Sequence, residues 1–219
     1  DAQKLIDELK AQNPLIPRVL KMERKKENKN APLLYNLAEL QNDCARFFKI
    51  SPDETLKVVQ ELYEKKLVTY PRTDARVLSS AVAKEISKNL RGLQQYNICR
   101  GLADEILQGE SWKKTGSTRY TNDKQITDHY AIIPTGQGLG NLRNLSELSA
   151  KVYETIVRRF LSIFYPSAVY QKVALVTEIG GEQFFSNFRV LVEEGYLKAM
   201  HYSFFRKKDE DEDGKKDEE

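Results

Sequence analysis

The side chains with the widest chemical reach in this sequence meet in residues 67–74, where Tyr70, Arg72 and Asp74 occupy alternate positions. A phenol hydroxyl can attack a phosphorus or acyl centre and hold the product as a covalent ester. A guanidinium two residues away offers a planar fork matched to phosphate oxygens, so the pair suits phosphoryl transfer. Pro71 pushes Tyr70 out of helical space, because the proline ring clashes with the residue before it. If the segment stays extended, its alternate side chains point one way, and phenol, guanidinium and carboxylate share a surface. A half-buried strand tyrosine beside a surface arginine fits the same three residues, so spacing alone does not choose the chemistry.

His129, one of only two histidines, follows Asp128 and precedes an apolar run that ends at Pro134 and Thr135. Charged, it could hold a phosphate; neutral, it reads as a turn histidine facing solvent. Gly136, Gly138 and Gly140 do not have the spacing of a dinucleotide fingerprint and read as a flexible joint. The two cysteines, Cys44 and Cys99, lie far apart without zinc-finger spacing. They read as reduced thiols of a cytosolic protein, with no structural metal in this segment.

The elements that must position these groups follow from periodicity and capping. Apolar residues at Ala2, Leu5, Ile6 and Leu9 have helical spacing. Residues 15–22 read as extended, and the charged run from Glu23 to Asn30 reads as a loop or linker. A helix is expected through Leu37, Leu40, Ala45 and Phe48. Ser51, Pro52 and Glu54 then form a capping box with proline at the first helical position. The helix it opens carries Leu56, Val59, Leu62 and Tyr63 on one face. Ser79 and Ser80 cap a third helix, residues 93–107 hold a fourth, and residues 109–125 read as a long surface loop. Ser146 caps a strongly periodic helix that Pro166 stops. Residues 169–179 and 183–192 read as strands joined at Gly180 and Gly181. The order helix, turn, helix, strand around Tyr70 is that of a winged-helix module, although helix pairs of this kind also occur in proteins that never touch DNA.

At 219 residues with 40% hydrophobic content, the chain can build real cores. No apolar run approaches the roughly 20 residues that span a bilayer, and the start at Asp1 suggests a piece cut from a longer chain. The formal net charge is +3, but residues 209–219 hold eight acids against two lysines, a net of −6. The other 208 residues therefore carry +9, which favours polyanions or simply marks a solvated lysine-rich surface. The acidic tail reads as disordered.

Three segments together resemble one family. Residues 62–74 (LYEKKLVTYPRTD) look like the active-site segment of type IA DNA topoisomerases, most like the topoisomerase III branch. Residues 129–135 (HYAIIPT) are similar to that family's second signature, and residues 34–41 (LYNLAELQ) to its entry into the tyrosine-bearing domain.

The resemblance implies an α+β fold in which a helical, winged-helix-like (CAP-like) domain at 32–135 is inserted in a β-rich arch. The arch would be formed by 1–31 and 136–206, with a disordered acidic tail at 207–219. It implies that Tyr70 attacks single-stranded DNA and keeps the 5′ phosphate, that Arg72 and His129 act with it, and that Arg72, Thr73 and His129 contact the DNA. Magnesium would be bound by the family's Toprim domain, a partner in the full-length chain that is not in this sequence, so this piece alone should be inactive. The implied location is cytoplasmic and nucleoid-associated, with no membrane. A non-enzymatic winged-helix DNA-binding module and a protein interaction scaffold are the competing readings.

Overall fold

Six α-helices and three β-strands, linked partly by 3-10 turns, make up the computed structural model, which describes residues 2–11 and 16–205. The acidic tail and the start of the segment expected to be extended, at Leu15, lie outside those residues. By its contacts the chain divides into two units: the part up to Asn30 with Ser167–Gly195, and Ala31–Pro166 with the chain from Tyr196.

The first unit holds helix α1 (Ala2–Lys10) and strands β1 (Arg18–Lys29), β2 (Ala168–Ile179) and β3 (Glu182–Glu193). The strands form an antiparallel sheet in the order β1-β2-β3. Gly180 and Gly181 both adopt positive φ, 59° and 87°, the sign pattern that a type I′ hairpin turn requires. The charged run expected to be a linker is instead most of β1, paired along its length with β2. Its lysines and glutamates extend because β2 supplies a complete hydrogen-bonding partner, which outweighs their weak strand preference. Glu27 ties the strands together, reaching Lys172 Nζ at 2.7 Å and Arg189 Nη1 at 3.7 Å. The Arg189 guanidinium in turn lies 4.3 Å from the centre of the Tyr170 ring.

The second unit is helical: α2 (Leu37–Phe48), α3 (Pro52–Glu64), α4 (Ser80–Leu93), α5 (Arg100–Gln108) and α6 (Glu147–Ser162). The expected starts are present. Asn36 accepts from Glu39 N–H at 2.8 Å, Ser51 and Glu54 complete a reciprocal capping box, and Ser79 and Ser146 cap α4 and α6. Among the described residues the β-pairing of this unit is limited to the single bridges Tyr35–Ile132, Val68–Pro134 and Leu78–Thr121. A helix pair is therefore present without a hairpin wing.

Two expectations change here. Helix α6, assigned by resemblance to the arch, belongs to the helical unit. It is buried from Val152 to Phe164, charged residues included, because its polar side chains find partners inside this unit. Arg159 bonds Asp43 Oδ2 at 2.8 Å, Ser149 bonds Glu61 Oε2 at 2.8 Å, and Arg158 bonds Glu154 Oε1 at 2.6 Å. Residues 109–125 are more than a surface loop: they contain two 3-10 turns and bury Thr115 and Tyr120. The Tyr120 hydroxyl donates to Ala31 O at 2.8 Å, and its carbonyl accepts from Leu78 N–H at 2.7 Å.

Candidate active site

Three stretches distant in sequence converge around Tyr70. Residues 67–69 run against 133–135, with Thr69 N–H donating to Ile133 O and Thr135 N–H to Leu67 O, both at 3.0 Å. The Thr69 hydroxyl locks this pairing, donating to Ala131 O at 2.9 Å and accepting from Ile133 N–H at 3.0 Å. On the other side of 131–132 lies the third stretch: Ile132 N–H donates to Tyr35 O at 2.8 Å. Leu34 N–H and Leu37 N–H reach Arg76 O and Thr73 O at 3.1 and 3.2 Å. The three segments singled out in the sequence are thus one structural unit.

Helix α3 delivers the tyrosine segment by a Schellman end. Lys66, with φ 63°, takes the left-handed position usually given to glycine. Leu67 N–H returns to Leu62 O at 2.9 Å, and both leucines are fully buried. Thr135 Oγ1 then donates to Lys66 O at 2.6 Å, and Asn141 Nδ2 to Lys65 O at 3.1 Å, satisfying the last carbonyls of the helix.

Gly136 and Gly138, in the glycine run that follows, are close-packed and do not form a flexible joint. A Cβ on Gly138 would lie 2.3 Å from Lys65 O, and one on Gly136 2.6 Å from Asn89 O. Both glycines also hold positive φ, 75° at Gly136 and 70° at Gly138, so each is required twice over. Asn89 Nδ2 donates to Pro134 O at 2.9 Å, fixing α4 to the same strand.

Tyr70 itself is half-buried on a cavity of about 590 Å³. Its ring lies 4.4 Å from the His129 ring, centre to centre, and meets the Tyr63 ring edge-on at 5.4 Å. Glu64, Lys66, Tyr130 and Gln137 complete much of the lining. The tyrosine segment is not one continuous strand: Thr73 N–H donates to Pro71 O at 3.0 Å, a tight turn centred on Arg72. The simple alternation expected for Tyr70, Arg72 and Asp74 is therefore broken. Arg72 and Asp74 are exposed, and neither lines the cavity. Among the described residues, the Arg72 guanidinium has no hydrogen-bond or ion-pair partner.

Thr73 is the residue expected to touch DNA alongside Arg72 and His129. It is buried, donates to His129 O at 2.8 Å and accepts from Ala75 N–H at 3.1 Å, which leaves its hydroxyl committed within the protein. It positions His129.

Sequence reasoning missed the support behind this site. The Tyr35 hydroxyl donates to Asp43 Oδ2, which also receives Arg159, while the Arg159 guanidinium lies 4.1 Å from the centre of the Tyr35 ring. Burial raises the Tyr35 phenol well above its usual pKa. Because the Tyr35 carbonyl holds the strand leading from His129, this buried network anchors the site to α2 and α6. Tyr63, Glu64 and Lys66 fell inside the family-like segment 62–74 but were given no role of their own; their proximity to the tyrosine just beyond the helix end was the available signal.

Among the described residues no group of three or more His, Cys, Asp or Glu side chains is placed to hold a metal ion. Nor is any helix among them long and apolar enough to cross a membrane.

A family model described as DNA topoisomerase matches residues 1–219. DNA topoisomerase 3 of Bacillus subtilis (strain 168) is 39% identical over 184 residues, covering 84% of this chain and 24% of that protein. DNA topoisomerase 3 of Bacillus cereus (strain ZK / E33L) is 34% identical over 189 residues, 85% of this chain and 25% of that protein. The chain thus spans about a quarter of the length of the curated relatives it matches. The structure of full-length topoisomerase I from Thermotoga maritima superposes with a TM-score of 0.64 and 21% identity, covering 92% of this chain and 32% of that one. That likeness speaks to the fold.

Proposed function

The chain belongs to the DNA topoisomerase family, and on that footing we propose that it supplies the nucleophile of a type IA enzyme. This isomerase would cut and reseal single-stranded DNA through a 5′-phosphotyrosine, without ATP, in the cytoplasm at the nucleoid. The observation that carries the reading is the Tyr70 ring set 4.4 Å from the His129 ring, on a cavity lined by two of the three family-like segments, 62–74 and 129–135.

In the proposed step Tyr70 Oη attacks the phosphorus of a phosphodiester. The Oη–P bond forms as the P–O3′ bond breaks; the phenol gives up its proton and the departing 3′ oxygen gains one. One phosphoester replaces another, so the reverse attack by the 3′ hydroxyl reseals the strand without a nucleotide. A free phenol has a pKa of about 10, so a group must take its proton during attack. The residues for that task are taken to lie in the rest of the parent protein.

Arg72 is exposed and uncommitted beside the tyrosine, which suits it to the charge that develops on the phosphoryl oxygens. His129, exposed above the Tyr70 ring, is suited to hold the scissile phosphate or its neighbour. Burial pushes the pKa of the neighbouring Tyr130 phenol up, which disfavours its phenolate. Among the described residues no group of three or more His, Cys, Asp or Glu side chains is placed to hold a metal ion, and no step is routed through magnesium. Magnesium and the Toprim domain are assigned to the remaining length of the parent protein, and this chain alone is expected not to turn over. The test is attachment of a 3′-end-labelled single-stranded oligonucleotide to the full-length parent protein, through the 5′ phosphate created at the cut, and its loss in Tyr70→Phe.

A further inference from the structure

The cavity beside Tyr70 does not end there. A second depression of about 640 Å³ shares Thr69, Tyr130, Thr135 and Gln137 with it, so the two form one groove within the helical unit. The far wall is the first half of α4, which presents Lys84, Glu85 and Lys88. Lys88 is engaged with Glu85 at 2.7 Å, whereas Lys84 has no ion pair among the described residues and feels Asp123 only through space. At the Tyr70 end Lys66 lines the groove, also without an ion pair among the described residues. Lys49 and Glu110 share its left-handed conformation, so its place on the groove, and not its φ, singles it out.

We propose that this groove is the track of the single strand beyond the phosphodiester that faces Tyr70. Lys66 and Lys84 hold backbone phosphates at its two ends, and the half-buried Tyr130 ring offers a stacking surface for a base between them. The proposal rests on the reading of Tyr70 as a nucleophile toward single-stranded DNA. Stacking on an aromatic ring combined with cations along the backbone is the usual way to hold a strand without reading its sequence. Glu64 and Glu85 also line the groove. Their repulsion keeps the grip weak, as suits a strand that must be released.

The test is a titration of the 219-residue chain with a fluorescent single-stranded oligonucleotide at several salt concentrations. Each phosphate contact contributes about 0.7 to the salt slope for a single strand. Lys84→Gln is expected to lower the slope by about that amount and to weaken binding several-fold. Lys66→Gly is expected to do the same while raising Tm by about 2–4 °C, since glycine accepts the left-handed position without strain. Tyr130→Leu should weaken binding several-fold with the slope unchanged. Lys57→Gln, on α3 and lining neither depression, should change nothing.

Unchanged slopes in both lysine variants, or no binding by the unaltered chain at low salt, overturn the track. A rise in Tm with unchanged affinity in Lys66→Gly removes that end of it. The nucleophile reading is scored separately, by the covalent adduct of the full-length protein: an adduct that depends on Tyr70 alongside unchanged slopes discards the track alone.

Discussion

The Thr73 hydroxyl donates to the His129 carbonyl at 2.8 Å, so a residue of the tyrosine segment fixes the backbone of the histidine whose ring meets that tyrosine. Thr73→Val keeps the volume but deletes this bond and leaves the buried Ala75 N–H, now at 3.1 Å from Oγ1, without its acceptor. Such a loss costs about 1–3 kcal/mol. Thermal unfolding should show a fall in Tm of several degrees, and adduct formation by the full-length protein should slow. An unchanged Tm would remove Thr73 from its positioning role.

Two helical glycines should respond to alanine with opposite signs. A Cβ on Gly92 would lie 2.1 Å from Gly136 O, a backbone atom that cannot swing aside. Gly92→Ala is expected to destabilise by about 3 kcal/mol or more, as overpacking against rigid structure does. A Cβ on Gly101 meets nothing within 4 Å, so Gly101→Ala should stabilise α5 by about 0.5–1 kcal/mol through helix propensity. Chemical denaturation of both variants checks the pair.

The same contrast explains what the sequence could disclose. Caps were legible because their partners lie within three residues, as with Ser51 and Glu54. Tyr70 and His129 were legible through their motifs, and their contact was implied only by resemblance. Gly136 and Gly138 were misread as a joint because the carbonyls that exclude a Cβ come from Asn89 and Lys65, elsewhere in the chain. The part of strand β1 from Glu23 onward was missed because all but one of its residues are exposed, so its alternation carried no apolar signal. Arg158 and Arg159 look like the wet face of an amphipathic helix. Their burial depends on Glu154 and Asp43, and the second of these is on another helix.

The cysteines give a prediction with a defined pH window. Cys44 and Cys99 are fully buried, and desolvation pushes each thiol up to about 12. An exposed thiol titrates near pH 8.5, so the unfolded chain loses these protons first. Stability from this source is therefore complete below about pH 8.5 and declines as pH rises toward 12. At pH 8 a thiol reagent should label neither cysteine in the folded chain and both in denaturant. Rapid labelling without denaturant would show that the helical unit opens readily around α2 and α5.

Tyr70 and its neighbours should separate nucleophile, phosphate ligand and positioning residue. In the full-length parent protein with magnesium, a single-stranded oligonucleotide should become attached through its 5′ phosphate. Tyr70→Phe deletes only the hydroxyl and keeps the ring that packs between His129 and Tyr63, so folding and DNA binding should persist while the adduct disappears. Arg72→Ala should slow adduct formation by about 100-fold, the usual cost of one preorganised donor to a developing oxyanion. Arg72→Lys should recover part of that rate, because the charge returns without the bidentate fork. His129→Ala should weaken the reaction without abolishing it. Because Arg72 has no partner among the described residues, its replacement should leave Tm unchanged; a marked fall would mean that its role is structural. An adduct that survives Tyr70→Phe would make another residue the nucleophile and remove the chemical reading of this site.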